Sequence, residues 1–403
     1  MTVLPDILFV THRLPFPPDK GDRVRTLHLL RFLSTRARVH LASLADEPVS
    51  AEAATLLGGL CARVTAVPLG RFHWLRGLTA VPRGGTISEG VFQSKALAQV
   101  IRAWAADTRF HGAVASATSV AHYLRLPGLE RTTRVVDSVD VDSQKWFDYA
   151  AMAGRPKSWV YKLEGYRLRK REQQICEWAD AVTLVSDREA AMMRELTGTP
   201  NLTAVTSGVD LKYYTPAPPG PESGCLFVGA LNYLPNVDGI TWFARTVWPE
   251  LRHHRPEAVL RVVGRKPVAA VKELATIPGI ELVGPVKDVR PHLATAAVVI
   301  APLRIARGLQ NKVLEAMASG KAIVSSPAAL AGFGFPDLPA LSADEPRDWC
   351  EKVSFLLTNE AERRRIGLAG RIYAELHHQW SACLEPFGRI LRLPDPAPRG
   401  DGS

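Results

Sequence analysis

The chain has 403 residues, 46% of them hydrophobic and 22% charged, and it carries a formal net charge of +10. This length predicts two globular domains, and the composition excludes a disordered or fibrous protein. No apolar run approaches the roughly 20 residues of a membrane span, and five scattered cysteines exclude a disulfide framework. The N-terminus lacks a signal peptide's layout, so we expect a cytoplasmic protein. The positive charge favours anionic partners, unless it reflects only a solvated arginine-rich surface.

The first half of the chain alternates strand and helix patterns. Helical periodicity appears at 25–33 and 159–179, and a proline-rich loop occupies 15–22. Short apolar runs predict strands at 7–10, 39–44, 64–67, 113–117, 133–137 and 181–185. Such alternation predicts parallel βαβ units.

A basic cluster, Arg167-Leu168-Arg169-Lys170-Arg171, lies within the second of these helices. Two interpretations are open: contact with an anionic inner membrane surface, or a solvated helix face.

A proline- and glycine-rich break at 214–224 separates the two halves. Strand patterns then restart at 225–228, 259–263, 280–283, 298–301 and 322–325, and closing helices are predicted at 345–357 and 360–377. We predict the α/β class with these divisions: an N-terminal domain, 1–205; a linker, 206–224; a C-terminal domain, 225–375; a helix, 376–393, that can pack back on the first domain; and a disordered tail, 394–403. Two open α/β sheets place a ligand cleft at the carboxyl ends of their strands.

The segment 302–321 carries the clearest chemistry. It predicts a basic loop turning at Gly308 and a helix from about Gly308 to Gly320. Steps of 100° per residue place Leu309, Val313, Ala316 and Met317 on one face, and Gly308, Asn311, Lys312 and Glu315 on the other. Free N–H groups and Lys312 suit a diphosphate, and Glu315 suits the hydroxyls of a ribose. An ordinary amphipathic helix with a solvated Lys/Glu pair fits this spacing equally well.

Several motifs together resemble family 4 glycosyltransferases in order and spacing, over almost the whole chain. They are Val205 to Asp210 with Tyr214-Thr215-Pro216, Leu226-Phe227-Val228-Gly229, Val263-Gly264, and Gly308 with Lys312 and Glu315 through Gly320. The resemblance implies the GT-B fold, in which two Rossmann-like domains with parallel sheets face each other across a cleft. The runs 15–25, 137–143, 232–236 and 304–308 look like the sugar transferases of exosortase/PEP-CTERM exopolysaccharide systems in Gram-negative bacteria.

The resemblance implies transfer of a sugar from a nucleotide diphosphate sugar to a lipid-linked or polysaccharide acceptor. The implied reaction retains the anomeric configuration and uses no metal and no cofactor, because helix N-termini and basic side chains meet the diphosphate charge. Gly21 and Gly308 would supply backbone donors, and Arg304, Arg307 and Lys312 would supply charge. Glu315 matches the family's ribose-binding glutamate. Gly229 and Asn232, in the matching motifs, complete the implied donor site.

Two positions depart from the family pattern. The first of the family's two motif glutamates falls on Arg307, and the Arg and Lys that hold the diphosphate in many relatives fall on Ala230 and Asn236. We hypothesise that Arg304 and Arg307 take over that charge.

On the acceptor side, Asp140 is the nearest match to the family's His-Asp pair, with Asp137 and Asp142 beside it. Asp140 could accept the proton of the acceptor hydroxyl, or these aspartates could cap a helix starting near Ser143. His12 follows the first strand and is either a catalytic group or a loop hydrogen-bonder. Arg23 and Arg25 could meet a substrate phosphate, or form surface charge.

Two rival functions remain open. One is a nucleotide-sugar epimerase on the same scaffold, and the other is a catalytically idle GT-B binding subunit, which the arginine at position 307 keeps open. Nucleic-acid binding is disfavoured because no RRM, zinc-finger or helix-turn-helix pattern appears.

Overall fold

The computed structural model of the protein describes residues 4–70 and 72–396. The chain divides into two compact units, one running to Thr206 and resuming at Leu384, the other spanning Ser207–Cys383. The segment predicted as a linker therefore falls almost wholly within the second unit. Its Pro216 packs against Gly320 there, where a Cβ on the glycine would lie 3.2 Å from the proline ring.

The first unit is built on a parallel sheet whose strand order is β3-β2-β1-β4-β5-β6-β7. Its central strands have both faces covered, and β1 is buried from Ile7 to Thr11, so they appear in sequence as unbroken apolar runs. The strands are β1 (Asp6–Thr11), β2 (Arg38–Ala45), β3 (Arg63–Pro68), β4 (Gly112–Ser116), β5 (Thr133–Val139), β6 (Ala181–Leu184) and β7 (Leu202–Ala204).

Helices connect these strands, and serine side chains start several of them. The Ser94 hydroxyl accepts from Leu97 N, and the Ser186 hydroxyl accepts from Glu189 N. The helices are α1 (Gly21–Ser34), α2 (Ala51–Leu60), α3 (His73–Ala80), α4 (Ile87–Phe92), α5 (Lys95–Asp107), α6 (Asp142–Met152), α7 (Lys157–Trp178) and α8 (Asp187–Thr197), with 3₁₀ turns at Val81–Arg83 and Thr118–Arg125.

The second unit has its own parallel sheet, in the order β10-β9-β8-β11-β12-β13. Its strands are β8 (Ser223–Val228), β9 (Leu260–Val263), β10 (Ile280–Gly284), β11 (Ala296–Ala301), β12 (Ile323–Ser325) and β13 (Leu341–Ser342). Its helices are α9 (Leu234–Trp242), which continues as a π-helical stretch (Phe243–Val247), α10 (Trp248–His254), α11 (Ala269–Lys272), α12 (Arg290–Thr295), α13 (Asn311–Ala318), α14 (Pro327–Leu330), α15 (Pro346–Thr358), α16 (Glu360–His377) and α17 (Trp380–Cys383), with a 3₁₀ turn at Glu273–Thr276.

The chain after Leu384 packs on the first unit. It forms α18 (Glu385–Ile390), whose Phe387 is fully buried. Arg36 Nη2 donates to Glu385 Oε2 at 3.0 Å, and His111 Nε2 lies 2.7 Å from the Leu391 carbonyl oxygen. The predicted helix 376–393 is thus broken into short helices, and positions 397–403 of the predicted tail lie outside the described residues.

Both sheets reverse their strand order at one point, between β1 and β4 in the first unit and between β8 and β11 in the second. In open parallel sheets the loops after such strands form the ligand site. Within the described ranges, no helix is both long and apolar enough to cross a membrane.

Candidate functional site

In the second unit, the loop after β8 meets the start of α13. Gly229 follows β8, and a Cβ built on it would lie 2.7 Å from Asn236 Nδ2 and 3.2 Å from Lys312 Nζ. Lys312 Nζ donates to Asn236 Oδ1, and Asn236 Nδ2 donates to the Ala230 carbonyl oxygen at 3.0 Å. Asn236 therefore ties Lys312 to the reversal point of this sheet, and glycine at 229 leaves room for both side chains.

Lys312 is a desolvated cation. Burial lowers the pKa of its ammonium to about 7, although the Glu315 carboxylate opposes this shift. Its Nζ lies 4.8 Å from the centre of the buried Phe227 ring. An ammonium that has lost water gains more from an approaching anion than a hydrated one does. This environment suits a phosphate group.

Glu315 lies one turn further along α13 and receives a hydrogen bond from Tyr214. Burial raises the pKa of the Glu315 carboxyl to about 7, while the Tyr214 hydroxyl and the Lys312 charge oppose the shift. Burial and the neighbouring Glu315 also raise the pKa of Tyr214, so its hydroxyl stays protonated and donates. A carboxylate held in this way keeps acceptor capacity for a ligand's hydroxyls.

Arg371, on α16, fixes the segment that carries Tyr214. Its Nη1 donates to the Tyr214 carbonyl oxygen at 2.7 Å and to the Ala318 carbonyl oxygen at 2.8 Å. Ala318 ends α13, so one guanidinium joins the end of that helix to the tyrosine that contacts Glu315.

The basic loop before α13 differs from its predicted form. The helix begins at Asn311, so the predicted start near Gly308 is wrong. Gly308 has a φ of +57°, and its carbonyl oxygen lies so close to Gly332 that a Cβ on Gly332 would be 1.9 Å from it. The backbone is thus held in a left-handed turn that interrupts helical geometry.

The two arginines predicted to supply charge on this loop differ in their exposure and contacts. Arg304 is half exposed and its Nε donates to Asp238 Oδ2, on α9, at 2.9 Å. Arg307 is half buried, and its carbonyl oxygen accepts from Gln310 Nε2 at 2.8 Å. Asn232 lies on an exposed turn. The asparagine that contacts Lys312 is Asn236.

In the first unit, His12 bridges the reversal point between β1 and β4. Its Nδ1 lies 2.9 Å from the Ser116 carbonyl oxygen, and its Nε2 lies 3.2 Å from Asp22 Oδ2. These two contacts fix the position of the ring after β1. A catalytic role for His12 stays a prediction.

Asp22 completes this arrangement beside Gly21, which opens α1. Burial alone would raise the pKa of the Asp22 carboxyl, but hydrogen bonds and charges of His12 and Arg13 hold it well below its usual range. Lys20 precedes the helix, and its own side chain makes no capping hydrogen bond. The first backbone N–H groups of α1 lie beside this anchored histidine.

Arg23 and Arg25 have carboxylate partners inside the protein. Arg23 is buried and donates to Asp19 at 3.0 Å and to Asp46 at 2.8 Å. Arg25 forms a two-pronged ion pair with Asp137, at 2.8 and 2.9 Å, and both side chains are nearly inaccessible. Thr183 Oγ1 also donates to Asp137 at 2.8 Å. This burial corrects the expectation that Arg25 and Asp137 meet an acceptor, and gives them a structural role.

Asp140 follows β5 and stands apart from that ion pair. Burial and the nearby Glu189 carboxylate raise the pKa of Asp140 to about 7. Its Oδ1 is buried and has no hydrogen-bond partner among the described residues. A carboxylate that is half protonated near neutral pH can take up a proton during a reaction.

The capping alternative for Asp140 is wrong. Helix α6 begins at Asp142. Backbone N–H groups at its start donate to glutamate side chains from other helices. Glu189 Oε2 accepts from Val141 N at 2.8 Å, and Glu172 Oε1 accepts from Ser143 N at 2.9 Å. Within the described ranges, no three His, Cys, Asp or Glu side chains form a group that could hold a metal ion.

Comparison with known proteins gives a family-model match within the second unit and a fold for nearly the whole chain. Residues 222–359 match the family model described as Glycosyl transferases group 1. No curated protein sequence matches the chain. The matched segment contains Gly229, Asn236, Lys312 and Glu315.

Solved structures match nearly the whole chain. Sucrose-phosphate synthase from Thermosynechococcus elongatus is 16% identical with a TM-score of 0.71, over 96% of this chain and 98% of its own. HepE from Anabaena, in complex with UDP and glucose, is 14% identical with a TM-score of 0.68, over 96% and 99%. A glycosyltransferase from Rickettsia africae is 11% identical with a TM-score of 0.60, over 96% and 99%. The predicted GT-B fold class is confirmed, and the family match supports a glycosyltransferase.

Proposed function

We propose that the protein transfers a sugar from a nucleotide diphosphate sugar to an acceptor hydroxyl. The observation that carries the proposal is the cluster of Gly229, Asn236, Lys312 and Glu315 with Tyr214 at the reversal point of the second sheet. HepE, a structural relative, has been solved with UDP-glucose. We therefore expect a UDP-hexose among the donors.

Each residue has a proposed task in donor binding. Lys312 meets the diphosphate, and the charge of Arg307 adds to it. Glu315, oriented by Tyr214, accepts from the two ribose hydroxyls. Gly229 lets the diphosphate approach the backbone, and Gly308 offers its N–H.

In the proposed transfer, the acceptor oxygen bonds to the anomeric carbon while the bond between that carbon and the diphosphate breaks. The acceptor proton passes to Asp140 or to the departing diphosphate. His12 and the N–H groups at Gly21 are the proposed hydrogen-bond donors for the leaving group. Retention of the anomeric configuration and independence from metal remain predictions from the resemblance.

The proposal extends to the acceptor and the location. We propose a lipid-linked or polysaccharide acceptor of exopolysaccharide synthesis, of the exosortase-associated type, at the anionic inner face of the cytoplasmic membrane. The sequence resemblance supports this extension.

The test is a donor screen. Purified protein is incubated with UDP-, GDP- and ADP-sugars, with and without lipid-linked acceptors, and products are identified by mass spectrometry. Glu315→Gln should lower donor-dependent turnover, and Glu351→Gln, an exposed glutamate paired with Arg347, should not. Isomerised donor without acceptor would show an epimerase instead. Donor binding with no product on any acceptor would show an idle binding subunit.

A further inference from the structure

Large apolar side chains are exposed on two helices of the first unit. Phe72 is 68% exposed, Trp74 50%, Trp159 62% and Tyr166 65%. These side chains and the neighbouring exposed aliphatic residues are together called the aromatic surface: Phe72, Trp74, Leu75, Leu78, Trp159, Val160, Leu163 and Tyr166. Exposed apolar residues gathered in this way mark a binding surface.

Helix α4 joins the two halves of the aromatic surface. The Glu164 carboxylate, on α7, accepts from Ile87 N at 2.8 Å and from Ser88 N at 2.9 Å, at the start of α4. On the other side, Gly77 of α3 packs so closely that a Cβ there would lie 2.9 Å from Ile87. Both segments that carry the exposed side chains therefore contact α4.

The aromatic surface is bordered by positive charge. Trp159, Leu163 and Tyr166 recur at helical spacing and form one stripe on α7. Lys162 is exposed next to Leu163, and Lys170 is exposed one helical turn after Tyr166. Residues 152–171 contain seven Lys or Arg and one acidic residue, Glu164, which is buried and engaged with α4.

The arginines of the basic cluster itself bind within the protein. Arg167 Nη1 donates to the Gly85 carbonyl oxygen at 3.0 Å, and Arg171 Nε donates to Glu89 at 2.9 Å. Arg169 donates to Gln144 and stacks on the Phe147 ring. The three arginines therefore hold α7 in place, and the exposed cations of α7 are lysines. The solvated-face interpretation is wrong for these arginines, and membrane contact stays a prediction.

We propose that the aromatic surface docks on an anionic lipid bilayer. Tryptophan and tyrosine favour the level of the lipid headgroups, and flanking lysines favour anionic ones. A bilayer matches both properties of the surface, whereas a second copy of the chain would bring the same positive charge against itself. The inference defines the membrane contact included in the proposed function, yet it depends only on the surface of the first unit.

The test is flotation with vesicles of phosphatidylcholine alone or with phosphatidylglycerol. Wild-type protein should float with the anionic vesicles, and higher salt should release it, since screening weakens the lysine contribution. Trp74→Gln with Trp159→Gln should lower the bound fraction roughly tenfold. The matched control is Leu368→Gln with Leu376→Gln, two exposed leucines on α16 of the second unit, which should bind as wild type does.

Two further measurements keep the outcomes distinct. Melting temperature and UDP-sugar affinity are compared among the variants, and the tryptophan variant should match wild type in both. Loss of vesicle binding alone supports the docking surface even if no sugar transfer is found. Wild-type protein that ignores anionic vesicles, equal binding by the two double variants, or a dimer abolished by the tryptophan changes would overturn the proposal.

Discussion

Lys312 donates a hydrogen bond to Asn236, 76 positions earlier in the chain. The contact joins the start of α13 to the loop after β8, and both groups border Gly229. In many members of the family that this sequence resembles, a lysine occupies the position of Asn236. In this chain the Asn236 amide instead orients the ammonium of Lys312, which is desolvated.

Asn236→Ala should weaken donor binding by roughly ten- to a hundredfold, because a hydrogen bond to a charged group contributes about 1.5–3 kcal/mol. Calorimetric titration with UDP-sugar measures the effect. Glu351→Gln, an exposed glutamate paired with Arg347, is the control and should leave affinity unchanged. Wild-type affinity in Asn236→Ala would contradict the assignment.

Tyr214→Phe should shift the pH dependence of donor binding. The Tyr214 hydroxyl opposes the rise in the Glu315 pKa, so its removal raises that pKa further above about 7. More Glu315 is then protonated at neutral pH, and the acid limb of the affinity profile should move to higher pH. Tyr213→Phe removes a neighbouring hydroxyl that donates to Asp288 and is the control. Superimposable profiles for wild type and Tyr214→Phe would refute this role.

Asp140→Asn should lower turnover by about a hundredfold or more while leaving donor affinity unchanged, if the carboxylate accepts the acceptor proton. The same change should stabilise the protein at high pH. Burial raises the folded-state pKa of Asp140 to about 7, above its ordinary value of 3.8, so the folded state binds more protons and loses stability as pH rises between them. The melting temperature of the variant should exceed that of wild type at pH 8, with a smaller difference at pH 5. Equal differences at both pH values would contradict the raised pKa.

Asp137→Ala should destabilise the protein by about 3–5 kcal/mol, because it leaves Arg25 buried without its partner. Asp107→Ala breaks the exposed pair with Arg63 and should destabilise the protein far less, because solvent screens this pair. Thermal unfolding compares the two. A wild-type melting temperature for Asp137→Ala, with a specific loss of acceptor binding, would restore the prediction made from sequence.

The sequence predicted the two parallel sheets because buried strands leave unbroken apolar runs and the breaks between them are rich in proline and glycine. It also placed Lys312 and Glu315 on one face of a helix, which local periodicity suffices to show. It did not predict the Arg25–Asp137 pair, whose members are 112 positions apart. Long-range pairing of this kind has no local signal.

The sequence did not assign Tyr214 to the site, although its motif is among those that resemble the family. This tyrosine lies in the proline-rich segment read as a linker, and only its contacts with Arg371 and Glu315 show that the segment supports the site. The predicted start of α13 is wrong because the left-handed turn at Gly308 depends on the close approach of Gly332. Sequence periodicity cannot reveal such a contact.

The most direct test of the central claim is calorimetric titration of wild type and Lys312→Met with a UDP-sugar at pH 7.5, in two buffers of different ionisation enthalpy. Burial holds the Lys312 pKa at about 7, so an approaching diphosphate should raise it and the wild-type protein should take up protons on binding. Lys312→Met should bind at least tenfold more weakly and take up fewer protons. Equal affinity and equal proton uptake in the two proteins would contradict a donor diphosphate held by Lys312.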